Sequence, residues 1–287
     1  MTADRRPALS RATVDRDAAA REDDGVLAAA WPTAQVLVVD NGQALVSDDG
    51  PALVLLPSSD APEGDRLYLG RDEDSAYFAV AGALPRRSGA RPVGLRDVGA
   101  LLGDRDAGLL VHAVGLANWH ATHTHCPRCG APTLPARGGA VRRCTADGSE
   151  HFPRTDPAVI MLVTDGGDRV VLGRQAVWPP GRYSTLAGFV EPGESAEQAV
   201  VREVQEETGL AVRDVVYRSS QPWPFPASLM LGFRAVCDGD GEPVPRDGEL
   251  EDARWFTRDE LRTGGALLLP PPVSIAWRLI DDWLQQG

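Results

Sequence analysis

The chain has 287 residues, 43% of them hydrophobic, and 41 acidic against 29 basic side chains give it a net charge of −12. That apolar share excludes a disordered chain, and the length allows two modest domains with a sizeable core. The acidic balance argues against broad electrostatic binding to nucleic acid, yet leaves room for a small anion met through a bound divalent cation.

In chain order, residues 1–30 mix both charge signs, lack the apolar core of a signal peptide and are expected to form a flexible tail. A β-rich α+β domain is expected over 31–124. Between Gln35 and Val80 the short runs "QVLVV", "ALVLL", "LYLG" and "AYFAV" are punctuated by Asn-Gly, Asp-Gly and Pro-Ser, as in an antiparallel sheet. "VGLRDVGALL" and "AGLLVHAVGLANWHA" then carry helical spacing without breakers. Residues 125–153 form a short cysteine-bearing ribbon, and a second domain is expected over 154–287.

In that second domain the β signal returns with "AVIMLVT" and "RVVLGRQ", joined across "DGGD", a hairpin-type turn. "YSTLAGFV", "VRDVVYRS", "LMLGFRAVC" and "ARWFT" are further strands, and "VSIAWRLIDDWLQ" closes the chain as an amphipathic helix. No apolar run is long enough to span a bilayer. Four cysteines, three of them clustered, suit a metal site in a reducing cytosol better than a disulfide framework. A cytoplasmic protein with no membrane attachment is the expectation.

Between the second-domain strands lies "GFVEPGESAEQAVVREVQEETGL". Ser195 with Gln198 fits a capping box, so a helix should start at Ala196, and Gly209 fits the position that stops it. Glu203, Glu206 and Glu207 fall at i, i+3 and i+4 on one face, where like charges repel by about 0.2–0.5 kcal/mol per pair. A solvated charged face is the usual fate of such a run. The other reading is a site for Mg²⁺ or Mn²⁺, hard cations that take oxygen ligands and bridge to phosphates.

The spacing decides between them. Gly188, Glu194, Arg202, Glu203, Val204, Glu206, Glu207, Gly209 and Leu210 occupy every fixed place of G-x5-E-x7-R-E-U-x-E-E-x-G-U, where U is aliphatic. The segment resembles the Nudix box. Downstream, "SQPWPFPAS" at 220–228 is similar to the signature of NADH pyrophosphatases of the NudC type within the Nudix superfamily. Read alone, its three prolines make a stiff extended segment that holds Trp223 and Phe225 in place.

The resemblance implies an α/β fold, a Nudix α/β/α sandwich preceded by an α+β domain and a zinc-ribbon-like segment. It implies metal-dependent hydrolysis of the diphosphate bond of NADH or NAD⁺ to NMN(H) and AMP. Glu203, Glu207 and Glu249 would hold Mg²⁺ or Mn²⁺ with the Ala187 carbonyl, and Glu206 would be a further ligand or the group that activates water. Gln221, Pro222, Trp223, Pro224, Phe225, Pro226, Ala227, Ser228 and Ala276 would line the dinucleotide site, and Arg96 would add a contact. Phe152 would reach the neighbouring subunit's site in a homodimer and, with Phe189, sandwich a base.

The ribbon departs from the family. Cys126, Cys129 and Cys144 are present, but Asp147 stands where the second CxxC would end. A structural zinc normally takes four ligands. His151 is the first choice for the fourth, with Asp147, His123 or His125 as alternatives, and the opposing reading is a ribbon that has lost its metal. Cys237 is expected to be a buried apolar residue, and His112 and His120 to be core or surface residues. Two other functions compete: removal of NAD caps from RNA ends, with Arg86, Arg87 and Arg91 as a local basic patch, and a non-catalytic dinucleotide sensor. The sensor is disfavoured because every box carboxylate is present.

Overall fold

A computed structural model describes residues 6–246 and 248–286. The first five residues of the expected tail, with Asp247 and Gly287 of the expected second domain, lie outside the described residues. The chain divides into two compact units, one built from Leu9–Thr155 with Pro222–Ala227, the other from Met1–Ala8, Asp156–Gln221 and Ser228–Gly287.

The first unit begins inside the segment expected as a tail. Leu9, Ala20 and Leu27 are buried, and Asp23 caps α1 (Asp24–Ala30) by accepting from the Gly25 and Val26 N–H groups. Asp15 and Arg71 exchange backbone hydrogen bonds at 3.0 and 2.8 Å. Gly70, at φ +125°, permits this, since a Cβ there would lie 2.1 Å from the Asp15 carbonyl oxygen. Sparse apolar anchors between charges therefore order a stretch whose composition suggests a loose one.

Strands β1 (Gln35–Val39), β2 (Gln43–Ser47), β3 (Leu56–Pro57), β4 (Arg66–Arg71), β5 (Ala76–Ala81) and β6 (Ala90–Gly94) follow, then helices α2 (Leu95–Val98) and α3 (Asp104–Thr122). The main sheet has the order β3-β1-β5-β4, and β2 pairs with β6 apart from it. The sheet is mixed rather than antiparallel, because β1 runs parallel to β5 from Gln35↔Tyr77 to Val39↔Ala81. Val36 to Val39 are all buried, the mark of a strand covered on both faces, where parallel pairing is at home. α3 packs across β1, β4 and β5.

The ribbon is a three-stranded sheet of β7 (Thr133–Ala136), β8 (Val141–Cys144) and β9 (Glu150–His151). Buried Arg142 ties it to α3, donating to Thr133 Oγ1 at 2.7 Å and to His120 Nδ1 at 2.9 Å. The other His120 nitrogen donates to the Gly139 carbonyl at 2.8 Å, so His120 is a structural residue.

The second unit contains β10 (Asp156–Thr164), β11 (Arg169–Arg174), β12 (Leu186–Phe189), α4 (Ala196–Thr208), β13 (Val212–Trp223), β14 (Ser228–Cys237), β15 (Asp252–Thr257), α5 (Arg258–Thr263) and α6 (Ile275–Leu284). Its sheet runs β13-β14-β10-β11-β15, with β12 also paired to β10. Central β10 lies parallel to β14 from Asp156↔Ser228 to Thr164↔Val236. Successive β10 side chains serve opposite layers, as strand geometry requires. Val159, Met161 and Val163 join Ala199, Val200 and Val204 of α4, whereas Ile160 and Leu162 join Leu279, Ile280 and Trp283 of α6. The expected α/β/α sandwich results. No helix among the described residues is long and apolar enough to cross a membrane.

Candidate active site

α4 begins and ends where its sequence says. Ser195 accepts from the Gln198 N–H while the Gln198 side chain accepts from the Ser195 N–H, and Gly209 at φ 72° stops the helix in the left-handed region. The apolar edge of α4 grips the sheet, which leaves the carboxylate stripe beside β12. There the Glu203 carboxyl lies flat against the backbone of Gly188, for a Cβ at Gly188 would sit 1.9 to 2.2 Å from it. Any side chain at that position would expel Glu203. Ala187, the residue whose carbonyl is of interest, is the next residue of the same strand, opposite Ile160.

Arg202 holds the stripe in register. Its Nε and Nη2 donate to the two Glu194 oxygens at 2.7 and 2.9 Å, and its Nη1 donates to Glu203 at 2.8 Å and Glu206 at 3.0 Å. The remaining reach of Nη2 is to the Phe189 carbonyl at 2.8 Å, which ties the strand end to the helix. These donors hold the Glu194 carboxyl below the usual carboxylate range. Glu203 goes the other way. Burial pushes its pKa up, and the charges of Glu206 and Glu249 add to the rise against the opposing pull of Arg202. Glu207 is 4% exposed.

Glu203 is partly buried and feels the like charges of Glu206 and Glu249, a field that a hard divalent cation would relieve. Glu203, Glu207 and Glu249 are the carboxylates that could hold the expected ions.

The SQPWPFPAS segment is extended as far as Trp223 and turns only through Pro224 to Ala227. β13 ends at Trp223, β14 starts at Ser228, and Phe225 N–H donates to the Trp223 carbonyl at 2.7 Å. Trp223 and Phe225 meet edge to face with centroids 4.9 Å apart. The Arg96 guanidinium covers them, 4.2 Å from the Phe225 ring centre and 5.7 Å from that of Trp223. Pro222 to Ala227 thus belong with the first unit. Gln221 is 0% exposed and donates to the Val273 carbonyl at 2.6 Å, and Ala276 is packed in the α6 core. In this structure those two brace the second unit instead of lining open surface. Phe152 and Phe189, by contrast, are 64% and 60% exposed.

In the ribbon, ligand atoms of Cys126, Cys129, Cys144 and Asp147 lie within 4.8 Å of one another. His151 stands outside that set, its Nε2 3.2 Å from Cys126 Sγ. Ser149 donates to Asp147 from its hydroxyl at 2.6 Å and its N–H at 2.9 Å, and holds the carboxyl down at about 2. Burial pushes the Cys126 thiol up, but the N–H groups of Arg128 and Cys129, with Ser149, outweigh it and bring the pKa to about 6. Three thiols and an ionised carboxylate at this spacing fit a zinc ion.

Sheet, helix and acidic stripe define a hydrolase of the Nudix type. Three families match along the chain: the NADH pyrophosphatase-like rudimentary NUDIX domain at 33–119, the NADH pyrophosphatase zinc ribbon domain at 121–152 and the NUDIX domain at 154–275. The NAD-capped RNA hydrolase NudC of Mycobacterium bovis (strain BCG / Pasteur 1173P2) is 45% identical over 295 residues, covering 96% of this chain and 94% of its own. The NAD-capped RNA hydrolase NudC of Deinococcus radiodurans is 41% identical over 265 residues, with 91% of each chain covered. The chain belongs to the NudC family of Nudix hydrolases.

Proposed function

We propose that the chain hydrolyses the diphosphate bond of NADH and NAD⁺, releasing NMN(H) and AMP, in the cytoplasm. The observation that carries this reading is the acidic stripe of α4, kept whole and braced by Arg202 against β12. Glu203, Glu207, Glu249 and the Ala187 carbonyl would hold Mg²⁺ or Mn²⁺, and the bound ions would neutralise diphosphate charge and make water a better nucleophile. Arg202 fixes where the stripe's oxygens point. Glu206, half exposed at the outer end of the stripe, can take the proton of the attacking water on a carboxylate oxygen. That water's oxygen joins one phosphorus as the bridging oxygen leaves with the other phosphate. Trp223 and Phe225 supply aromatic faces for a ring of the dinucleotide.

Removal of the NAD cap from RNA is the second reading, favoured by what the M. bovis and D. radiodurans relatives are called. Turnover of NADH, NAD⁺ and NAD-capped RNA at matched concentration and several salt levels separates the two. A preference for free dinucleotide that is insensitive to salt supports the first, and a strongly salt-dependent preference for capped RNA supports the second. We take the assembly to be a homodimer, in which exposed Phe152 has a partner surface to reach.

The ribbon would hold one zinc on Cys126, Cys129, Cys144 and Asp147. Protein purified without chelator should carry zinc by elemental analysis, and Asp147→Ala should retain less of it than His151→Ala. Equal retention in both variants would remove Asp147 from the ligand set.

A further inference from the structure

The turn at Pro222–Ala227 is hydrogen-bonded from outside itself. Three of its six residues, Pro222, Pro224 and Pro226, lack an N–H, so the turn has few donors for its own carbonyls. A donor comes from α3. Asn118 Nδ2 lies 2.9 Å from the Pro224 carbonyl oxygen and 3.4 Å from that of Pro226. One amide thus spans the two carbonyls that flank Phe225. Gly115, one helical turn earlier on the same face, lies beneath Pro224, where a Cβ would meet the proline ring at 3.7 Å. From the other side Arg96 of α2 covers the aromatic pair. The turn is therefore gripped on its backbone by α3 and on its rings by α2.

We propose that Asn118 is a positioning residue for Trp223 and Phe225. The proposal rests on the reading of 220–228 as a dinucleotide contact. α3 carries no carboxylate stripe, and a helix without chemistry of its own thereby has a task that chemistry depends on. Loss of the Asn118 amide would let the two rings sample other orientations while the carboxylates of α4 stay as they are. Binding should suffer, and the chemical step should not.

The test uses the full-length protein labelled with 5-fluorotryptophan. The ¹⁹F resonance of Trp223 is assigned through Trp223→Phe. Asn118→Ala, and Asn118→Asp, which keeps the shape but removes the donor, should each shift or broaden that resonance and leave those of the other tryptophans in place. Both should raise KM for NADH about fivefold, the equivalent of about 1 kcal/mol for one hydrogen bond, with kcat changed less than about twofold. Trp223→Ala is measured alongside. An unmoved Trp223 resonance with native KM in both Asn118 variants, while Trp223→Ala raises KM, overturns the role of Asn118 and leaves the turn as a substrate contact. Native KM in Trp223→Ala as well overturns the reading of the turn, and the proposal with it. A fall in kcat with KM unchanged also overturns it, since positioning for binding predicts the opposite split.

Discussion

Both units lay a helix against a β-sheet, yet α3 and α4 are made of different material. α3 turns Leu109, Leu110, Ala113, Val114, Leu116 and Trp119 inward and confines its acidic residues to Asp104 and Asp106 in the first turn, where they suit the helix dipole. α4 places Glu203, Glu206 and Glu207 in its second half, close to the end where negative charge is least welcome. A rudimentary NUDIX match over 33–119 beside a full one over 154–275 fits this contrast. Sheet-and-helix packing survives without the stripe. The stripe, which weakens its own helix, needs another reason to exist.

The largest expected effect follows from exchanging one buried carboxylate in each helix. Glu207→Gln removes charge and almost no volume, so the fold should persist while NADH turnover with Mg²⁺ or Mn²⁺ falls by about two orders of magnitude or more. Buried Asp106 of α3 accepts from the Leu53 N–H at 2.9 Å and has a structural task. Asp106→Ala should cost about 1–3 kcal/mol in denaturant unfolding and leave kcat near native. Native turnover in Glu207→Gln would dissolve the distinction between the helices.

Acid separates the units next. Burial, with Arg16 and Arg21 adding to it, lowers the pKa of His112 on α3 to about 3, against the usual 6.5. A depressed folded pKa gives stability that is present above the unfolded value and drains away as pH falls towards the folded one. The loss should reach about 2 kcal/mol at pH 5 relative to pH 8, and His112→Gln should abolish it. Glu203 of α4 has the opposite sign. Its raised pKa means that the folded state is relieved, not penalised, as pH falls through the carboxylate range. Thermal unfolding of each variant between pH 5 and 8 reads these slopes.

The smallest effect is on selectivity. Trp223→Ala or Phe225→Ala removes one partner of an edge-to-face pair, worth on the order of 1 kcal/mol. Discrimination for NADH over ADP-ribose and diadenosine diphosphate should drop by about fivefold. Unchanged relative rates across the three would reduce the turn to scaffold.

What the sequence made legible was local. The capping box at Ser195, the stop at Gly209 and the carboxylate stripe all follow from spacing along one helix, and each stands where spacing places it. The α/β/α layering came with the resemblance to the Nudix box, and continuous apolar β10, covered on both faces, agrees with it. Long-range pairing was not legible. Nothing in "QVLVV" and "AYFAV" says that their strands run parallel, and nothing in three prolines says that they bend into a turn gripped by α3. Nor does the sequence mark Asn118, whose meaning lies in two carbonyls 106 and 108 residues away. Buried Gln221 shows the converse, a motif residue whose observed contact is a brace.

Hydrolysis of NADH in ¹⁸O-labelled water, followed by mass spectrometry of the products, puts the proposed reaction itself on trial. Attack of water on phosphorus at the α4 stripe predicts NMNH and AMP, with a single labelled oxygen in one of the two phosphates. Release of dihydronicotinamide with an intact, unlabelled ADP-ribose diphosphate would place the chemistry at the glycosidic bond, and would contradict a role for Glu203, Glu206 and Glu207 in cleaving the diphosphate.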